Sequence, residues 1–112
     1  MPILQADYTT LNHEEMASAI GLKAKHVPML IGSYLEEAGP ILEKLQTAIE
    51  EKDFDALRAA AHSLKGSSGN LHFNELYDMA KEMEYAANEA DDSFAYSDYL
   101  NTIKSIIATI PA

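Results

Sequence analysis

Of the four histidines in the chain, His62 is the one whose neighbours give it chemistry. Lys65, Gly66 and Gly69 follow it at spacings that gather on one side of a helix, and Arg58 precedes it by one turn. A histidine is largely unprotonated near neutral pH and then offers a ring-nitrogen lone pair to an electrophile such as phosphorus. A lysine one turn later can balance the oxygens of a phosphoryl group. The glycines leave room for a partner to bring its own catalytic group to the phosphorus. An exposed histidine with ordinary neighbours is only a polar surface residue; the lysine and the two glycines set this one apart.

The element that must carry these residues is a helix. With Leu57 at zero and an advance of about 100° per residue, Leu57, Ala61, Leu64, Ser68 and Leu71 stay within roughly 40° of one line. His62 falls near about 140°, and Lys65, Arg58, Gly69 and Gly66 fall near about 80, 100, 120 and 180°, all on the exposed side. A glycine on such a face costs up to about 1 kcal/mol relative to alanine. With no packing return, that cost implies a close approach from outside. Gly66-Ser67-Ser68-Gly69-Asn70 also has the composition of a loop that would end the helix at Lys65. Two features favour continuation: the apolar line runs in phase to Leu71, and a break at 66 would leave this helix shorter than its neighbours.

The rest of the chain supplies the partners. Asn12 is placed to cap a short helix over about 12–20, with Glu15 completing a capping-box pattern and Gly21 ending it. Val27, Ile31, Tyr34, Ala38, Ile41, Leu45 and Ala48 form a stripe that crosses Gly39-Pro40 in phase. The proline predicts a kink or a brief interruption near 36–40, and the unbroken phase of the stripe favours the kink. Asp53 is the expected cap of the His62 helix. Phe73, Leu76, Ala80, Met83 and Ala87 mark the next helix. Tyr96, Tyr99, Ile103, Ile106 and Ile110 mark the last, with Ser93 as its cap and Pro111 as its stop. No window alternates as a strand would. The expected fold is all-α: an antiparallel up-down-up-down four-helix bundle over about 26–110 with a short additional N-terminal helix, in a single domain spanning 1–112.

Composition agrees. The chain of 112 residues is 47% hydrophobic and 23% charged, which suits one globular domain. Cysteine is absent, which excludes disulfides, thiolate zinc sites and cysteine nucleophiles. A net charge of −10 disfavours nucleic acid and anionic membranes as partners. The order Met1-Pro2-Ile3-Leu4-Gln5-Ala6-Asp7 lacks the basic-then-apolar pattern of a signal peptide, and no apolar run could span a bilayer, so a soluble, cytoplasmic protein is expected. His13 and His26 have no ligand-like spacing, so no metal site is expected. Glu36-Glu37 and Glu50-Glu51 diverge by about 100° on a helix and read as solvated faces, not acid/base pairs.

His62-Ser63-Leu64-Lys65-Gly66-Ser67-Ser68 resembles the histidine-containing phosphotransfer (HPt) domains of multistep phosphorelays, whose signature is a histidine followed by x-Leu-Lys-Gly and small residues. The likeness extends upstream through Leu45, Ala48, Asp53, Leu57 and Ala61, and downstream through Leu71, Leu76 and Met83-Glu84. The resemblance implies a four-helix bundle that accepts a phosphoryl group on Nε2 of His62 from an aspartyl phosphate of a receiver domain and passes it to another response-regulator receiver. It implies a phosphoryl carrier without ATP-dependent kinase activity and with no cofactor of its own, magnesium being supplied by the receiver. Lys65 maps to the lysine that assists the phosphoryl group, and Gly66 to the glycine that keeps the histidine accessible. His72 is a departure, because the family usually carries glycine ten residues after the histidine. That leaves the path of the following turn open, and His72 is read as structural.

Two other functions compete with a transfer intermediate. One is an HPt-like module that binds a receiver or kinase as a regulatory adaptor without transfer; the other is a plain acidic helical adaptor. Expected partners are receiver domains and a hybrid sensor kinase, with the chain itself a monomer. The charge map sharpens the docking surface. Residues 56–74 and 16–35 contain no acid but carry Arg58, Lys65, Lys23 and Lys25. Gly66, Gly69, Arg58, Ala59, Lys23 and Lys25 are therefore the candidate docking residues, where an acidic receiver pocket would be attracted.

Overall fold

A computed structural model describes residues 3–111; what was read from Met1, Pro2 and Ala112 lies outside the described residues. The described residues form α1 (His13–Ile20), a 3₁₀ turn (Ala24–His26), α2 (Val27–Glu51), α3 (Phe54–Asn70), α4 (Asn74–Asn88) and α5 (Tyr96–Ala108), with no strand among them. No helix is long and apolar enough to cross a membrane. α2 has 25 residues, about 37 Å at 1.5 Å per residue, and sets the 42 Å long axis of the molecule.

Two helix starts and four helix ends have local causes. Asn12 accepts from the Glu14 and Glu15 amides and caps α1; Asp53 accepts from the Ala56 amide and caps α3. The ends share one device. After α1, α2, α3 and α4 the chain turns through a left-handed residue, respectively Gly21, Lys52, His72 and Ala90. At His72 the amide donates to Gly69 O and the next amide, Phe73, donates to Ser68 O, the paired bonds of a Schellman motif. Only the first of these four residues is glycine, so three turns hold a side chain in a conformation that disfavours it.

One local expectation is narrowed and one needs correction. α2 runs without interruption through Pro40, which leaves the favoured reading of one continuous helix. The proline forfeits one backbone bond, but the stripe it would break is held on both sides, with Tyr34 and Ala38 before it and Leu45 and Ala48 after it all buried. Ser93 does not cap α5. Its amide and hydroxyl both donate to the Asp91 carboxylate, which makes Ser93 part of a turn, and α5 begins at Tyr96 after Ala95.

The core is one cluster contributed by every helix, including Val27, Ile31, Leu45, Leu57, Leu64, Leu76, Met83 and Ile103. The pairings across it carry register. Ser67 meets Glu37 and Ser68 meets Tyr34 between α3 and α2; Gly69 faces Tyr77 and His62 meets Glu84 between α3 and α4; Tyr99 meets Glu82 between α5 and α4. Ser68 is the one fully buried polar side chain among the described residues, and its hydroxyl bonds the Tyr34 hydroxyl at 2.8 Å. Burial pushes the Tyr34 hydroxyl up to about 12, so it stays protonated and can keep this bond at every ordinary pH. The ring of Phe73 packs between Tyr34 and Tyr8, with centroids 5.1 and 4.9 Å away. This packing ties the N-terminal segment to the end of the bundle where α3 turns into α4.

Candidate functional site

α3 extends through Asn70, so Gly66 to Asn70 are helical and not a loop. The consequence is that His62, Lys65, Gly66 and Gly69 do share one rigid element. Leu57, Ala60, Ala61, Leu64 and Ser68 bury one side of α3. His62 lies on the other, with 64% of its side chain exposed.

The site is completed from α4. Glu84 Oε2 lies 2.8 Å from His62 Nδ1, and Glu84 Oε1 lies 2.7 Å from Lys65 Nζ. One carboxylate thus holds both residues. Burial alone would push the Glu84 carboxyl up, but hydrogen bonds and charge from Lys65 and His62 bring it below the ordinary glutamate range. The bond to Glu84 in turn holds the Lys65 ammonium above the ordinary lysine range. Near neutral pH Glu84 is therefore an anion that can only accept. It follows that Nδ1 of His62 carries the proton in this bond. In the neutral ring the lone pair then belongs to Nε2, which sits on the side of the ring away from Glu84. The arrangement fixes the imidazole's tautomer and orientation and leaves a nucleophilic nitrogen facing solvent.

The two glycines have different surroundings. A Cβ added at Gly66 would meet nothing within 4 Å, so this position is open to whatever approaches His62. A Cβ at Gly69 would lie 3.1 Å from Cδ2 of Tyr77. Gly69 therefore has a packing return inside the fold, the close approach of α4, and the premise that it lacked one is corrected. Arg58 and Ala59 are exposed on α3. Ala59 lines a groove between α2 and α3 with Pro40, Ile41, Ala56, Ala60 and Ser63.

Lys23 and Lys25 are exposed but lie elsewhere. The contacts of Ser67 with Glu37 and of Ser68 with Tyr34 put His62 level with about Ile41 of α2. The start of α2 is then about 20 Å away along the axis. The structure brings together His62, Lys65, Gly66, Arg58 and Ala59, and sets the two lysines at the far end of α2.

Sequence reasoning missed Glu84 as a site residue, along with its α4 neighbours Lys81, Tyr85 and Asn88. Arg58, Lys65, Lys81, Glu84, Tyr85 and Asn88 line one depression between α3 and α4 beside His62. Tyr85 is among the few large apolar side chains left exposed, at 65%. No group of three or more acidic or histidine side chains able to hold a metal gathers among the described residues.

A family model described as Hpt domain matches residues 29–110, most of the chain. No curated protein and no solved structure matches it.

Proposed function

The chain belongs to the Hpt-domain family, a family of phosphocarriers in two-component phosphorelays, and we propose that His62 is its phosphoacceptor. In this reading Nε2 of His62 attacks the phosphorus of a receiver's aspartyl phosphate. The new N–P bond forms as the P–O bond to the aspartate breaks, and the aspartate leaves as a carboxylate. The ring keeps its Nδ1 proton and becomes a phosphorylated imidazolium. Glu84 stabilises that positive charge while Lys65 offsets the phosphoryl oxygens. Transfer to a second receiver is the same step in reverse. Magnesium is supplied by the receiver, and the chain contributes neither ATP binding nor a cofactor.

The observation that carries this reading is the bond from His62 Nδ1 to an ionised Glu84, because it leaves Nε2 as the attacking nitrogen. Gly66 supports it by leaving open space beside the imidazole. The interhelical pairs support an up-down-up-down path for α2 to α5: rising numbers on α3 meet falling numbers on both α2 and α4, and Lys52 at the end of α2 meets Asp92 just before α5 while Gln46 meets Lys104 within it. A cytoplasmic monomer that docks receivers and a sensor kinase around Arg58, Ala59, Gly66 and Gly69 completes the proposal. Incubation with a phosphorylated receiver should give the chain an acid-labile, alkali-stable label. A His62→Gln variant that still took up label would overturn the assignment, and a wild-type chain that bound the receiver without label would make it an adaptor.

A further inference from the structure

The depression beside His62 holds more positive charge than the resting site uses. It is lined by three cations, Arg58, Lys65 and Lys81, and one carboxylate, Glu84, in a chain whose net charge is −10. Glu84 is shared by His62 and Lys65, while Arg58 and Lys81 make no ion pair among the described residues. The formal excess of two positive charges matches the charge of a phosphoryl group, about −2 near neutral pH.

Geometry says how that excess would be used. A phosphoryl group on Nε2 lies on the opposite side of the ring from Glu84, so an ammonium drawn to it must loosen its bond to Glu84. Lys81 stands one turn before Glu84 on α4, at the i, i+3 spacing that brings side chains together. Resting on the reading of His62 as the phosphoacceptor, we propose that Lys81 is a positioning residue that takes over Glu84 when Lys65 turns to the phosphoryl group. Arg58 remains to offset the second phosphoryl charge. Glu84 thereby keeps a cationic partner in both states and continues to orient His62. Because Lys65 already holds Glu84 at rest, Lys81 stabilises the phosphorylated state selectively.

The test uses the full chain with potassium phosphoramidate, a small phosphodonor that needs no partner, and follows the lysine side-chain nitrogens by NMR. At rest the Lys65 ammonium should be protected and that of Lys81 not; after phosphorylation Lys65 should stay protected, now by the phosphoryl group, and Lys81 should become protected as well. At equilibrium with a phosphorylated receiver, Lys81→Gln should lower the share of phosphoryl groups on His62 by about twofold to fivefold. Lys81→Arg should restore it, and Lys104→Gln, the same charge change on α5, should leave it unchanged. A phosphorylated chain whose Lys81 signal does not move, or a Lys104→Gln effect equal to that of Lys81→Gln, overturns the exchange alone. Failure of phosphoramidate to label His62 overturns the phosphoacceptor reading and the exchange with it.

Discussion

Nδ1 of His62 lies 2.8 Å from Oε2 of Glu84, a residue 22 positions later on the neighbouring helix. That contact converts an exposed histidine, free to rotate, into one with a single presented nitrogen. It also ties the imidazole to Lys65 through the same carboxylate, so the proposed acceptor and the group proposed to offset the phosphoryl charge are positioned together.

Glu84→Ala should therefore slow phosphotransfer on the order of tenfold to a hundredfold, the scale expected when the partner orienting a reactive imidazole is lost. Glu84→Gln keeps an acceptor but loses the charge, and should fall between the two. Single-turnover transfer from a phosphorylated receiver measures this. Equal rates for wild type and Glu84→Ala would remove Glu84 from the mechanism.

The two glycines of α3 should respond differently to alanine. Gly66→Ala gains up to about 1 kcal/mol of helix stability, because its methyl group meets nothing. The same methyl narrows the approach to His62, so transfer from a receiver should slow while labelling by phosphoramidate does not. Gly69→Ala must displace the Tyr77 ring and should gain less or lose stability. Thermal denaturation of the two variants gives their order.

His72→Gly should stabilise the chain by about 1 kcal/mol, since His72 has a φ of 59° in the turn between α3 and α4. His72 is exposed, so no buried packing is lost. Urea denaturation should show a higher midpoint at an unchanged slope. A lower midpoint would mean that the His72 side chain contributes more than its backbone conformation costs.

The Lys65–Glu84 bridge sets a pH window. The Glu84 carboxyl is lowered on folding, so its contribution is present above the ordinary glutamate value of about 4.3 and is lost as pH falls through the folded value. The Lys65 ammonium is raised, so its contribution is present below about 10.4 and is lost as pH rises through its folded value. The stability difference between wild type and Lys65→Met should be flat from about pH 5 to 10 and shrink beyond both ends. A difference that changed steadily across that range would mean that another group governs it.

Most of this fold was legible because helix periodicity and caps are local. The apolar stripes gave the buried faces, and Asn12 and Asp53 cap as their positions suggest. Ser93 misled because Asp91, two residues earlier, competes for the same hydroxyl and amide. His62 and Lys65 could be placed on one face by counting residues along a single helix. Glu84 could not, because its role depends on the register between α3 and α4, which the left-handed turn at His72 sets. Met83 read as buried gave one constraint on that register, but the length of the turn was the missing quantity. Gly69 shows the same limit: its composition signals a close approach, yet only the packing reveals that the approaching group is Tyr77.

The central claim is that Glu84 presents Nε2 of His62 for phosphorylation. It is tested most directly by phosphorylating the ¹⁵N-histidine-labelled chain with phosphoramidate and identifying the modified ring nitrogen by long-range ¹H–¹⁵N NMR. The account predicts phosphorus on Nε2 of His62, with the Nδ1 proton retained. Phosphorus on Nδ1, or on any residue other than His62, would contradict it.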